Sequence, residues 1–251
     1  MKIAVCVKQV LSREAAVRVN DQGTWIRDTD AQFEMNEPDQ YALEEALRLK
    51  EQQGGEVIAV SAGPARVTQV LREALARGAD RAIHVSGDAL VQADPLVVAG
   101  ALAEAVRPEQ VDLVLAGLQS DDHGFGQVGV VMAERLGMPH ATIIMDVSVV
   151  DGALRVKREL EGGWFQWATL PLPTLLTIQS GINQLRYATL KGIMAAKKKE
   201  IRTVDANSGV SRQRITRLYV PEKSKQTRQL EGSPAEIAKE LVRALRDARV
   251  I

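Results

Sequence analysis

The sequence is poor in the residues that build cross-links and metal centres, with one cysteine and three histidines in 251 residues. A single cysteine, Cys6, excludes an internal disulfide framework, and His84, His123 and His140 are too isolated to share a metal. Aromatic residues make up only 4 %, and the three tryptophans, Trp25, Trp164 and Trp167, fall in hairpin-like segments where packing is expected. Neither sign of charge is in excess, with 32 basic and 32 acidic residues, so no global field draws the chain to nucleic acid or to a membrane surface. No apolar run approaches the roughly 20 residues that cross a bilayer. The chain enters a strand-like run directly after Met1-Lys2, without a signal-peptide pattern, and a cytoplasmic location is expected. No G-x-G-x-x-G follows the first strand and no Walker sequence occurs, which removes the dinucleotide fingerprint and the P-loop. No serine or cysteine stands in a nucleophile elbow, and no catalytic residue is assigned.

What is present is a regular alternation. Residues 2–7, 56–61, 80–85 and 111–116 are short β-branched apolar runs, as strands buried on both faces are. Between them lie helical patterns: one opened by Asn36-Glu37-Pro38-Asp39 and stopped by Gly54-Gly55, one over 65–77 closed by Gly78, and one from Asp94-Pro95 to about 106. A fourth spans 127–136. Strand and helix in turn imply right-handed crossovers and a parallel sheet. After His140 the pattern changes: 143–150, 153–160, 164–170 and 174–178 read as strands, with Asp151-Gly152 a strong hairpin signal, and are expected to extend the sheet with antiparallel strands. Residues 17–20 and 24–26 read as a small hairpin. A short helix over 187–199 ends in three lysines, read as a solvated terminus that suits the helix dipole. Residues 200–231 are too polar to build a core and read as an arm, followed by a final helix capped by Ser233-Pro234-Ala235-Glu236 with a stripe of Ile237, Leu241, Leu245 and Val250. The expected organisation is an α/β, Rossmann-like core over 1–199 and a C-terminal arm over 200–251.

The stretch Gly117, Leu118, Gln119, Ser120, Asp121, Asp122, His123, Gly124, Phe125, Gly126, Gln127 and Val128 leaves a buried strand and runs into a helix. Loops in that position lie at the carboxyl edge of the sheet, where open α/β folds bind their ligands. Free N–H groups at the helix start suit a phosphate, and glycine lets main chain approach a ligand. A surface loop whose glycines serve only turns is the competing reading. Three further loops converge on the same edge: Lys8-Gln9, residues 36–39, and Ala62-Gly63-Pro64. Together they describe an adenine-nucleotide pocket in which Asn36 bonds ribose or adenine and Asp121 or Asp122 accepts from ribose hydroxyls. A universal-stress type of site is a rival, but its spaced glycines and terminal Gly-Ser are not seen after Gly117.

The segments Val7-Lys8-Gln9-Val10, 36–50, 60–64, 74–85, Gly117-Leu118-Gln119 with Gln127, 156–163 and 183–199 resemble, in order and at matching spacing, the electron transfer flavoprotein β subunit. The resemblance implies an electron carrier of two different subunits. The α subunit holds most of a redox-active FAD and the β subunit a buried AMP. Electrons arrive from flavin dehydrogenases, such as acyl-CoA dehydrogenases, and leave toward a membrane quinone oxidoreductase. Carried onto this chain, the AMP-contacting positions are Cys6, Asn36, Glu37, Pro38, Asp39, Ala62 and Gly117 to Val128. Arg13 and Glu159 fall near the flavin and the subunit interface. Arg186, Tyr187 and Leu190 fall in the partner-docking segment, with Leu190 as the apolar anchor. The chain departs from the family at Ser120 to Gly126, where an acidic run is usual, at Arg13, where an aromatic is common, and at Leu185 and Lys191, where prolines are frequent. Small residues at Gly124 and Gly126 leave open a second FAD in place of AMP, in a bifurcating carrier that oxidises NADH. A stand-alone nucleotide-sensing module is the reading from another class.

Overall fold

A computed structural model describes residues 1–29, 31–207, 209–221 and 227–251. In chain order the strands are β1 (Lys2–Cys6), β2 (Gln9–Leu11), β3 (Phe33–Met35), β4 (Glu56–Gly63), β5 (Arg81–Ser86), β6 (Leu113–Gly117), β7 (His140–Val150), β8 (Ala153–Glu159), β9 (Phe165–Leu170), β10 (Thr174–Ile178) and β11 (Ile201–Asp205). The helices are α1 (Glu37–Gln53), α2 (Thr68–Arg77), α3 (Pro95–Val106), α4 (Val128–Leu136), α5 (Leu190–Ala196) and α6 (Pro234–Asp247). The chain divides into two compact units, Met1–Leu218 and Tyr219–Ile251.

In the first unit a nine-stranded sheet runs β11-β5-β4-β1-β6-β10-β7-β8-β9. Every pair from β11 to β7 is parallel, and β7-β8 and β8-β9 are antiparallel. The central strands are buried because both faces are covered: α1, α2 and α5 pack on one, α3 and α4 on the other. Successive residues of β1 alternate between the two cores, Ile3 and Val5 toward α1 and α2, Ala4 and Cys6 toward α3 and α4. The α/β, Rossmann-like expectation holds.

Several sequence-based expectations change in detail. Thr174–Ile178 is not part of the antiparallel extension: it inserts between β6 and β7, parallel to both. All five of its residues are buried, the mark of a central strand. β7 is the pivot, its first residues pairing with β10 and residues 144–150 with β8. The segment over 17–26 makes one isolated bridge, Val19 to Ile26, while Gln9–Leu11 and Phe33–Met35 form a two-stranded sheet that the sequence did not signal. Residues 201–205, expected in the arm, pair with β5 as the sheet's edge strand. The expected boundary at 199/200 thus cuts between α5 and a strand of the same unit; residues 208 and 222–226 of the expected arm lie outside the described residues. Trp164 and Trp167 do not pack in a core, being 75 % and 49 % exposed. β8 and β9 form the open end of the sheet, and only the face carrying Leu154, Val156 and Ala168 is covered. The outer face pairs cations with rings, Arg155 over Trp167 and Lys157 over Phe165.

The second unit carries α6, which starts with a capping box: the Glu236 carboxylate accepts from the Ser233 backbone N–H at 2.9 Å. Arg228 pairs with Glu240 on its surface.

Candidate functional site

Three neighbouring parallel strands end on small residues: β4 on Ala62 and Gly63, β1 on Cys6, and β6 on Ala116 and Gly117. Cys6, Ala62, Ala116 and Val128 belong to one apolar cluster on the α3 and α4 side of the sheet. They form a low shelf at the carboxyl edge, beneath the first turn of α4, whose N–H groups have no acceptor within the helix. Cys6 is buried and sits 3.7 Å from Met132 Sδ. Burial, with the nearby Asp39 adding to it, pushes its thiol up to about 12, so it acts as a small apolar wall and not as a nucleophile.

The loop above the shelf is fastened from the α1 side. Asn36, 1 % exposed, donates from Nδ2 to Gln119 O at 2.9 Å and accepts at Oδ1 from Asp121 N at 2.9 Å. Asp39 accepts from Lys8 N at 2.7 Å with one oxygen and from Gly117 N at 2.9 Å with the other. Burial drives its carboxyl up to about 7, against the donors of Lys8, Asn36 and Gly117 that favour the anion. A Cβ on Gly117 would stand 2.2 Å from Asp39 Oδ1, which is why glycine is required where β6 meets α1. The side chains of Asn36 and Asp39 are therefore engaged within the protein and tie two strand ends, the α1 start and the loop together. In this arrangement both polar atoms of the Asn36 carboxamide, expected to face ribose or adenine, are used by the loop. Pro38 is buried in the first turn of α1, a role of backbone geometry.

Beyond Gln119 the loop is held by charge. Lys8 Nζ reaches Asp122 at 2.6 Å and Ser120 Oγ at 3.3 Å. Burial works to raise the Asp122 carboxyl, but Lys8, with Ser120 and His123, holds it below the usual carboxylate range. Arg13 pairs with Glu37 and lies 3.5 Å from Asp121. Both loop carboxylates are thus matched by cations from the segment after β1: the sequence brings Lys8-Gln9 to this edge, and the structure adds that Lys8 is the partner of Asp122. His123 meets Trp25 and Phe125 edge-on, each at 5.7 Å between ring centres. Burial and then Lys8 lower its pKa, with Asp122 opposing, so the ring is neutral near pH 7. Gly124 and Gly126 take φ of 64° and 61°, and nothing lies within 4 Å of a Cβ built on Gly124. Between them the chain turns toward Gln127 and Val128 with backbone open to approach.

Four predicted positions, Glu159, Arg186, Tyr187 and Leu190, lie away from this shelf. Glu159, at the end of β8, accepts from Gln179 Nε2 at 3.2 Å and pairs across the strand with Phe165, so it borders the exposed Trp164 and Phe165. The segment over 183–199, for which partner docking is expected, lies on α1 and α2. Tyr187 and Leu190 are 91 % and 78 % exposed, and Ile193 and Met194 continue the apolar surface. Arg186 does not share it: the guanidinium is bound to Glu44 at 2.8 and 3.0 Å and to Glu51 at 2.5 Å, anchoring the segment to α1. Among the described residues no group of His, Cys, Asp and Glu is placed to hold a metal ion, and no helix is long and apolar enough to cross a membrane.

Comparison with known proteins decides the family. The model of the electron transfer flavoprotein domain matches residues 24–208. The chain belongs to the electron transfer flavoprotein family. It is 37 % identical to the electron transfer flavoprotein subunit beta of Methylophilus methylotrophus, over 98 % of both chains. The subunit beta of Sus scrofa is also 37 % identical, over 98 % of this chain and 97 % of its own. That of Bacillus subtilis is 35 % identical over the full length of both. Family membership makes the chain a β-type subunit of an electron carrier that works with flavin. The fastenings by Lys8, Asn36 and Asp39 give the loop of residues 117–128 a physical basis that the family name alone does not.

Proposed function

We propose that this chain is the β subunit of a heterodimeric electron transfer flavoprotein that takes electrons from flavin dehydrogenases, acyl-CoA dehydrogenases among them, and passes them toward a quinone oxidoreductase at the membrane. The observation that carries the nucleotide part is the loop of residues 117–128, fixed by Asn36, Asp39 and Lys8 over a shelf of small side chains. A nucleoside monophosphate fits this arrangement. Cys6, Ala62 and Ala116 leave room for a flat base at the strand ends, and the open backbone at Gly124 to Val128 offers N–H donors to one phosphate at a helix start. AMP bound there has no redox chemistry and serves to hold the loop; FAD, held mainly by the α subunit, supplies the electron-accepting and electron-donating chemistry.

The residues of this chain orient and shield. Asn36 and Asp39 keep the loop in place, and Lys8 and Arg13 neutralise Asp122 and Asp121, so that a phosphate approaches without facing free carboxylates. Glu159, beside the exposed Trp164, Phe165 and Trp167, lies on the face to which we assign the flavin-bearing α subunit, because a patch of large apolar side chains of this kind is a protein interface more often than a solvent face. Tyr187, Leu190, Ile193 and Met194 form the surface we assign to the dehydrogenase, with Leu190 as its anchor.

Denaturing the purified heterodimer and measuring both released molecules tests the cofactor assignment: one FAD and one AMP are expected. Two flavins per heterodimer would replace it with the bifurcating carrier. A colourless monomer that is stable alone and binds ATP would replace both with a nucleotide sensor. Leu190→Ala should raise KM for the reduced dehydrogenase about tenfold with flavin content unchanged; unaltered kinetics would remove the anchor assignment.

A further inference from the structure

Helix α5 has seven residues, too few to persist alone in water, yet it carries most of the apolar surface assigned to the dehydrogenase. What holds it is a pair of cations exchanged with α2. Arg72 of α2 donates from Nη1 to Ala196 O at 2.5 Å and Lys199 O at 2.7 Å, the carbonyls at the end of α5. Lys199, just past α5, donates from Nζ to Leu75 O at 3.2 Å and Ala79 O at 2.5 Å, the carbonyls at the end of α2. Each helix, with the turn that follows it, thus supplies the cation that caps the other's carboxyl end, where the carbonyls lack internal partners and the dipole favours positive charge. Close approach is possible because Gly192 faces the Ala76 carbonyl, where a Cβ would stand 2.3 Å from the oxygen. Thr189 caps the other end of α5, accepting from Gly192 N at 3.0 Å. Lys199 is also not the solvated lysine expected from its place in a run of three: it is partly buried, whereas Lys197 and Lys198 are exposed.

We propose that Arg72 and Lys199 are positioning residues for electron uptake: by capping each other's helices they hold α5 so that Leu190, Ile193 and Met194 are presented together to the donor. The proposal rests on the docking assignment made above. Without the caps, the ordering of α5 has to occur during docking and weakens association, while electron transfer within the docked complex is unaffected.

The test uses the intact FAD-loaded heterodimer and, as donor, an acyl-CoA dehydrogenase reduced by its acyl-CoA. Arg72→Gln and Lys199→Gln should each raise KM for the dehydrogenase about tenfold and leave kcat and the flavin spectrum as in the wild type. Lys199→Arg, which keeps a cation, should restore KM. Amide exchange over residues 190–196 should quicken about tenfold in the two Gln variants, a readout that needs no donor. Wild-type exchange in residues 190–196 of both Gln variants overturns the positioning role whatever the donor. If Leu190→Ala leaves KM unchanged, the docking assignment falls and the proposal falls with it. If Leu190→Ala raises KM and the Gln variants do not, only the positioning role falls.

Discussion

Asn36→Ala separates two roles for the residue at the centre of the site. The structure gives its carboxamide two hydrogen bonds across the loop, to Gln119 O and from Asp121 N, each 2.9 Å long. Each is worth about 1 kcal/mol net, since Gln119 and Asp121 are exposed enough for water to replace the lost partner. Their joint loss, about 2 kcal/mol, makes loop opening roughly 30-fold more frequent. Amide exchange of the peptide covering residues 117–123, measured on the heterodimer in saturating AMP, should accelerate by that factor, with the rest of α1 unchanged. AMP retained after exhaustive dialysis should fall as a consequence. Asn36→Asp keeps an acceptor for Asp121 N and for any ribose hydroxyl but loses the donor to Gln119 O, so loop exchange should still quicken. Loss of AMP with loop exchange unchanged in both variants would refute the fastening role and return Asn36 to direct contact with the nucleotide.

Three further outcomes follow from the same geometry. Cys6, with its thiol pushed up to about 12 by burial, should not react with a disulfide reagent at pH 8 in the folded protein and should react once in denaturant; rapid labelling of folded protein would contradict it. Asp39 has a folded pKa raised from 3.8 to about 7, so its contribution to stability is full at acid pH and declines as pH rises between those values. The stability advantage of wild type over Asp39→Asn, measured by urea unfolding, should therefore shrink from pH 4 to pH 7 and level off above; a pH-independent difference would refute it. Gly117→Ala places a methyl 2.2 Å from Asp39 Oδ1 and 2.8 Å from Asp39 N. Backbone at the strand end and the helix start would have to part, at about 3 kcal/mol or more, and the variant should lose AMP or fail to accumulate as folded protein; a variant as stable as wild type would show that the junction is softer than its geometry.

The alternation of strand and helix was legible because strands buried on both faces read as unbroken runs such as Ile3 to Val7, and because Asn36-Glu37-Pro38-Asp39 and Gly78 punctuate the helices. β10 was misplaced for a reason of context. Thr174–Ile178 follows two prolines and two hairpin-like strands, so its neighbours group it with them, although its five buried residues carry no alternation and are those of a central parallel strand. β11 was missed because an edge strand joins through its backbone: Arg202, Thr203 and Asp205 satisfy β5 without adding apolar surface. For Trp164 and Trp167 residue type suggests packing, but type says nothing about which face of the last hairpin is covered.

The candidate site shows the same division at finer scale. That polar and glycine-rich segments converge at one sheet edge follows from topology, and topology follows from apolar patterning. Which way each polar group points does not. Asn36 and Asp39 have the residue types of ribose ligands, and the sequence places them where such ligands belong, yet both side chains turn back onto the loop. The reason is local supply and demand: the chain leaving β6 at Gly117 and the turn at Gln119 to Asp121 expose N–H and C=O groups that the sheet no longer pairs, and the nearest partners able to satisfy them are on the first turn of α1. Under the proposed reading a nucleotide at this edge meets backbone and small side chains first, with Asn36 and Asp39 one layer behind. Replacements in that layer should change how firmly the loop is held before they change what it binds, and that ordering is what the comparison of loop exchange with AMP retention in Asn36→Ala reads directly.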